Sequence, residues 1–161
     1  MKGLIKNKKI AIVDVETSGL WCREDGKEPA RILRIDATKI ENGKIGETFS
    51  SLVACGKYIE KSIATLTGIN NKMLKGQPKI KDVLKALKEF TCGYEVYARN
   101  SEFVNKFLFY YGNKNGIQID LAKEKDYNEI SKFISQRELS THLKNTTDSE
   151  PLALAEVLVE D

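Results

Sequence analysis

The segment Ile10-Ala-Ile-Val-Asp-Val-Glu-Thr-Ser-Gly-Leu20 constrains this chain more than any other, because an apolar run that reads as a buried strand ends in two carboxylates, Asp14 and Glu16. Residues two apart in a strand face the same side, about 6.6 Å apart along the chain, so both carboxylates can converge on one cation. Thr17, Ser18 and Gly19 follow with turn chemistry. Glycine permits the positive φ and close backbone approach that suit a sharp bend beside a charged site. An Asp-x-Glu pair by itself is also the ordinary composition of an acidic strand-to-loop junction, so its meaning depends on the rest of the chain.

Strand signals continue through the first third. Arg31–Ile40 is β-rich, Asn42-Gly43 marks a hairpin, and a further strand is expected near residues 45–54. Residues 21–30 have turn composition and form a loop beside the acidic strand end. Past Pro78, Ile80, Val83, Leu84 and Leu87 recur at helical spacing, with lysines on the other face. A short strand at Glu95–Ala98 precedes Asn100 and Ser101, and Ser101 is expected to cap a helix carrying Phe103, Phe107, Tyr110 and Tyr111 on one side. Residues 117–147 are polar and weakly periodic, with short helices expected at 127–134 and 138–143. Residues 148–158 read as a terminal helix with Asp148 as its cap and Pro151 in its first turn. Strands first, interleaved with helices, imply an α/β sandwich.

Length and composition set the frame. A chain of 161 residues with 41% hydrophobic content is the size of one domain, 1–161. No apolar run is long enough to span a bilayer and no basic-then-apolar leader is visible, so the expected location is cytoplasmic. Cys22, Cys55 and Cys92 are odd in number and far apart, which suggests reduced structural thiols rather than a disulfide framework. A net charge of +3 does not by itself demand a nucleic-acid partner. Lys72, Lys75, Lys79, Lys81, Lys85 and Lys88 read as the solvated face of helical segments.

The stretch from Ile10 to Leu20 resembles the first motif of the DnaQ-like, DEDD-type 3'-5' exonucleases, the family of the proofreading subunit of bacterial DNA polymerase III and of RNase T. The likeness continues in order through Leu66-Thr-Gly-Ile69 with Met73-Leu74, and Ala98-Arg-Asn-Ser-Glu-Phe103 resembles the second motif. It implies an RNase H-like mixed sheet of about five strands, the first three antiparallel, flanked by helices, with Asp14 at the end of a central strand. It also implies Mg²⁺ or Mn²⁺ as cofactor, Asp14 and Glu16 as metal ligands, and Thr17, Ser18, Gly19, Leu20, Asn100 and Phe103 beside the 3' end of single-stranded DNA or RNA. A DNA polymerase or another replication or repair protein is the implied partner.

Two motifs depart from the family. Val104 stands where the second motif has a metal-binding aspartate, and Arg99 where it has histidine. Held in register on Ala155–Leu158, the third motif places Glu150 at its aspartate and Asn145 at its histidine, so Glu150 is the third catalytic candidate. The lone His142 lies too far upstream of Glu150 for the expected spacing, and the general base is unassigned. Three readings stay open. The first is a family scaffold that engages a 3' end with weakened or lost two-metal hydrolysis. The second is an active exonuclease in which Glu102, Asp148 or Glu150 substitutes for a missing ligand. The third is a partner-binding module with no enzymatic role.

Overall fold

Alternation along the first strand decides the architecture. In the computed structural model, which describes residues 7–20, 29–98 and 100–122, β1 (Lys9–Thr17) buries Ala11, Val13 and Val15 on one side, and Ile10 and Ile12 on the other before that side turns acidic at Asp14 and Glu16. A strand buried on both faces belongs inside a sheet. The order is β3-β2-β1-β4, with β2 (Ile32–Glu41) and β3 (Lys44–Leu52) antiparallel to their neighbours and β4 (Glu95–Tyr97) parallel to β1. The mixed α/β sheet is the expected fold, with four strands among the described residues. A parallel bridge from Val96 to Leu121 begins a further pairing on the outer side of β4.

Asn42 and Gly43 join β2 to β3 with φ of 53° and 71°, the pair of positive angles that a two-residue type I′ turn requires. The crossover from β3 to β4 runs through α1 (Lys61–Thr67), α2 (Asn71–Leu74) and α3 (Ile80–Phe90). The amphipathic α3 buries Val83, Leu84 and Leu87, while Lys81, Lys85 and Lys88 are exposed, as its periodicity predicts. Two short helices, α1 and α2, were not read from the sequence: α1 has no buried residue, so no apolar stripe betrays it.

The last described helix is α4 (Ser101–Asn115). Its cap is Asn100, whose side chain accepts from the Phe103 N–H at 3.3 Å, and Ser101 is the first helical residue, so the expected capping role moves back by one position. Val104, Phe107, Leu108 and Tyr111 join Val13, Val15, Ile35, Val83 and Leu87 in the main core. A smaller cluster of Leu33, Cys55, Ile59, Ile69 and Leu74 lies beneath α1 and α2. Cys55 is buried and Cys92 exposed, both as free thiols. The expected helices at 127–134, 138–143 and 148–158 lie outside the described residues, as does Cys22. No helix among the described residues is long and apolar enough to cross a membrane.

Candidate active site

Asp14 and Glu16 are both half-buried, on the same side of β1 by strand alternation. The β1–β2 register sets Asp36 opposite Asp14 and Arg34 opposite Glu16, so four charged side chains share one sheet face. Arg34 Nε donates to Asp36 Oδ2 at 2.7 Å, and Arg34 Nη2 lies 4.0 Å from Glu16 Oε1. Asp36 is 3% exposed, and its Oδ1 accepts no hydrogen bond from any described residue. Three carboxylates on one face would repel strongly in a low dielectric, and the guanidinium between two of them offsets part of that cost.

The chain turns sharply after Glu16. A register shift between Glu16 and Thr17 breaks the ladder, and the turn is then pinned from both sides. Ser18 donates its N–H to the Arg31 carbonyl and accepts the Arg31 N–H on its hydroxyl, each at 2.8 Å, while the Thr17 hydroxyl donates to the Gly19 carbonyl at 2.8 Å. Gly19 is not in the left-handed region, and a Cβ there would meet Ala30 Cβ at an ordinary 3.8 Å. The turn expected at Thr17, Ser18 and Gly19 therefore forms without a positive φ at the glycine, and the hydroxyls of Thr17 and Ser18 shape it. Tyr111 Oη reaches across from α4 to the Ala30 carbonyl at 2.8 Å and fixes the other wall.

Beyond this turn opens a cleft of ≈ 400 Å³, lined by Ser18, Gly19, Leu20, Arg31, Lys57 and Tyr58 among others. Leu20 is 78% exposed and Tyr58 80% exposed, an aliphatic and an aromatic side chain at its rim. Asn71 holds the far wall by accepting from the Ile59 N–H at 2.7 Å and donating to the Ile59 carbonyl at 2.9 Å. Ser18, Gly19 and Leu20 of the expected turn line this cleft, whereas Lys57, Tyr58 and the Asn71 clamp carry no signal in the sequence and come together with them only through the fold.

The second motif lies elsewhere in character. Val104 is fully buried in the main core with Val13 and Val15, the β1 residues that alternate with the carboxylates. Phe103 packs against that core and its ring lies 4.9 Å from the Phe107 ring, so its visible role is packing. Asn100 is committed to capping α4. Glu102 is exposed and paired with Lys106 at 2.9 Å, which keeps its carboxyl below the usual range. Among the described residues no group of three or more Asp, Glu, His or Cys side chains is arranged to hold a metal ion, so Glu102 does not complete a ligand set with Asp14 and Glu16. Asp148, Glu150, Asn145 and His142 lie outside the described residues, as does Arg99.

A profile of the exonuclease family, RNase T type, matches residues 11–153. The chain belongs to this exonuclease family. It is 30% identical over 81% of its length to the 3'-5' exonuclease DinG of Bacillus subtilis (strain 168), and 32% identical over 71% to the DNA polymerase III subunit epsilon of Aquifex aeolicus (strain VF5). It spans only 14% and 56% of those two proteins. Among solved structures it is similar to the nuclease domain of 3'hExo, a DEDDh family member bound to rAMP. The TM-score is 0.69 at 18% identity, covering 94% of this chain and 90% of the other. That likeness supports the RNase H-like exonuclease fold.

Exonucleases of this family use divalent metal ions. The Asp14 and Glu16 carboxylates are hard oxygen donors, the chemistry such an ion would need. The Val104 side chain has no donor atom and is enclosed in apolar packing.

Proposed function

We propose that this domain engages the 3' end of single-stranded DNA or RNA, with two-metal phosphodiester hydrolysis weakened or lost. The observation that carries the reading is Val104, buried in the hydrophobic core at the position where the family places a metal-binding aspartate. Two-metal hydrolysis needs one ion at the attacking oxygen and another at the leaving oxygen. Losing the charge stabilisation of one ion costs several kcal/mol of transition-state energy, which slows turnover by orders of magnitude.

Binding depends on different groups. The cleft beside the Thr17–Leu20 turn has the cations Arg31 and Lys57 for phosphates and the exposed faces of Leu20 and Tyr58 for a terminal base. Base stacking on such a surface is sequence-tolerant, and phosphate contacts make binding salt-dependent. Asp14 and Glu16 would hold a divalent ion, whose chemistry there would be charge stabilisation of the terminal phosphodiester. The turn hydroxyls and backbone orient the last nucleotide, and the wall at Lys57–Tyr58 limits its approach.

Fluorescence anisotropy with a labelled single-stranded oligonucleotide, carrying either a free 3' hydroxyl or a 3' phosphate, tests the reading. A preference for the free 3' hydroxyl that is weakened in Lys57→Ala and Tyr58→Ala supports it. Equal affinity for both ends, untouched by either substitution, contradicts it. The family's association with DNA polymerase III subunits favours a replication or repair protein as partner.

A further inference from the structure

We propose that Arg34 is a positioning residue that acts as a built-in counter-ion to Glu16 and competes with a divalent cation for that carboxylate. The inference rests on the reading of Asp14 and Glu16 as the cation-holding pair. Register alone sets Arg34 across from Glu16 and Asp36 across from Asp14, and the alternation of β2 keeps Arg34 and Asp36 on one face.

The guanidinium is not free to leave. Its Nε is tied to Asp36 Oδ2 at 2.7 Å, and the Asp36 side chain is only 4% exposed, so the tie is a charge-assisted bond shielded from water. Arg34 itself keeps 25% of its side chain exposed and Glu16 31%, which leaves the guanidinium and the Glu16 carboxylate facing each other at the open edge of the cluster. Arg34 thus sets a positive charge among the three carboxylates Asp14, Glu16 and Asp36.

A divalent ion drawn to Glu16 meets this fixed positive charge 4.0 Å from the carboxylate oxygen it needs. Like charges at that range repel, and the anchored guanidinium cannot swing far without breaking its bond to a buried carboxylate. Arg34 therefore lowers the affinity of the pair for a metal and, in the same act, stabilises the carboxylates in its absence. Position 104 denies the site a ligand, and Arg34 supplies a cation in partial replacement of the one that ligand would have held.

Titration of the full-length chain with Mn²⁺, followed by the electron paramagnetic resonance of the free ion, tests this on wild type, Arg34→Lys, the double variant Arg34→Met/Asp36→Leu, and the same double variant carrying Asp14→Ala. Replacing a buried ion pair by apolar groups of similar volume is often neutral to folding, so the double variant remains measurable, and circular dichroism checks that it folds. The expected result is Mn²⁺ binding about tenfold tighter in the double variant than in wild type, reversed by Asp14→Ala. Arg34→Lys, which keeps the charge, stays close to wild type. Equal affinity in wild type and the folded double variant overturns the proposal, as does the absence of Asp14-dependent binding in both. Oligonucleotide anisotropy on the same samples separates the two claims. A preserved 3'-end preference with unchanged Mn²⁺ affinity removes the counter-ion alone, whereas tighter Mn²⁺ binding without any 3'-end preference removes the proposed function and leaves the counter-ion standing.

Discussion

Asp14 lies directly opposite Asp36 in the antiparallel pairing of the two central strands, so two carboxylates of like charge face the same side of the sheet. Such a cross-strand pair of like charges works against folding, and the Arg34 guanidinium bound to Asp36 offsets part of that cost. Asp14→Asn keeps the shape and removes the repulsion. It is expected to stabilise the fold by about 1 kcal/mol or less, raising Tm by about 1–4 °C, while weakening Mn²⁺ binding. Thermal unfolding checks this in metal-free buffer, and a fall in Tm would show that Asp14 holds the fold together.

Val104→Asp tests the packing around the second motif. The new carboxylate enters a fully buried apolar cluster, and metal-free protein is expected to lose about 3 kcal/mol or more. A cation that binds the folded state alone offsets such a loss by mass action, so added Mn²⁺ should restore part of the Tm in this variant more than in wild type. Equal Mn²⁺ shifts in both proteins would mean that position 104 does not reach the carboxylate pair.

Gly112 is the tightest point in α4. A Cβ at this position collides with the carbonyl oxygen of Ile117, which belongs to the backbone and cannot move aside as a side chain does. The Ile117 N–H also donates to the Gly112 carbonyl at 2.8 Å, locking the chain reversal after the helix. Gly112→Ala is expected to cost about 1–3 kcal/mol, read from denaturant unfolding. A neutral result would mean that the 117–119 segment shifts freely.

Acid sensitivity should come partly from Glu95. The Tyr97 hydroxyl first, and the Lys8 ammonium second, hold its carboxyl below the ordinary value of 4.5. A depressed folded pKa contributes stability that is present above the unfolded value and lost as pH falls through the folded one. Glu95→Gln is therefore expected to flatten the fall of Tm between about pH 5 and pH 3, with little change in its slope above neutrality. An unaltered acid limb would contradict this role.

Much of this fold is legible in sequence because it rests on local pattern. The strand ending in Asp14 and Glu16, the Asn42-Gly43 turn and the helix from Ile80 each carry a periodicity or turn signal within a few residues. The burial of Val104 beside Leu108 and Tyr111 also follows from helical spacing. Capping was harder: Asn100 and Ser101 both have suitable side chains, and only geometry chooses Asn100. The cleft wall at Lys57 and Tyr58 had no signal, since its approach to Ser18 and Leu20 depends on a crossover and on Asn71 gripping Ile59. Arg34 and Asp36 did have one. Two charges at alternate positions within an otherwise apolar strand, paired antiparallel with a strand carrying two carboxylates, point to a shared charged face, but the register that makes the pairing specific appears only in the structure.

Digestion of a single-stranded oligonucleotide bearing a label at its 3' terminus, with Mg²⁺ or Mn²⁺, by wild type and Asp14→Ala side by side is the most direct test of weakened hydrolysis. Little or no release of labelled mononucleotide by wild type, together with 3'-end binding, is the predicted result. Rapid release by wild type that Asp14→Ala abolishes would show a complete two-metal site and contradict the central claim.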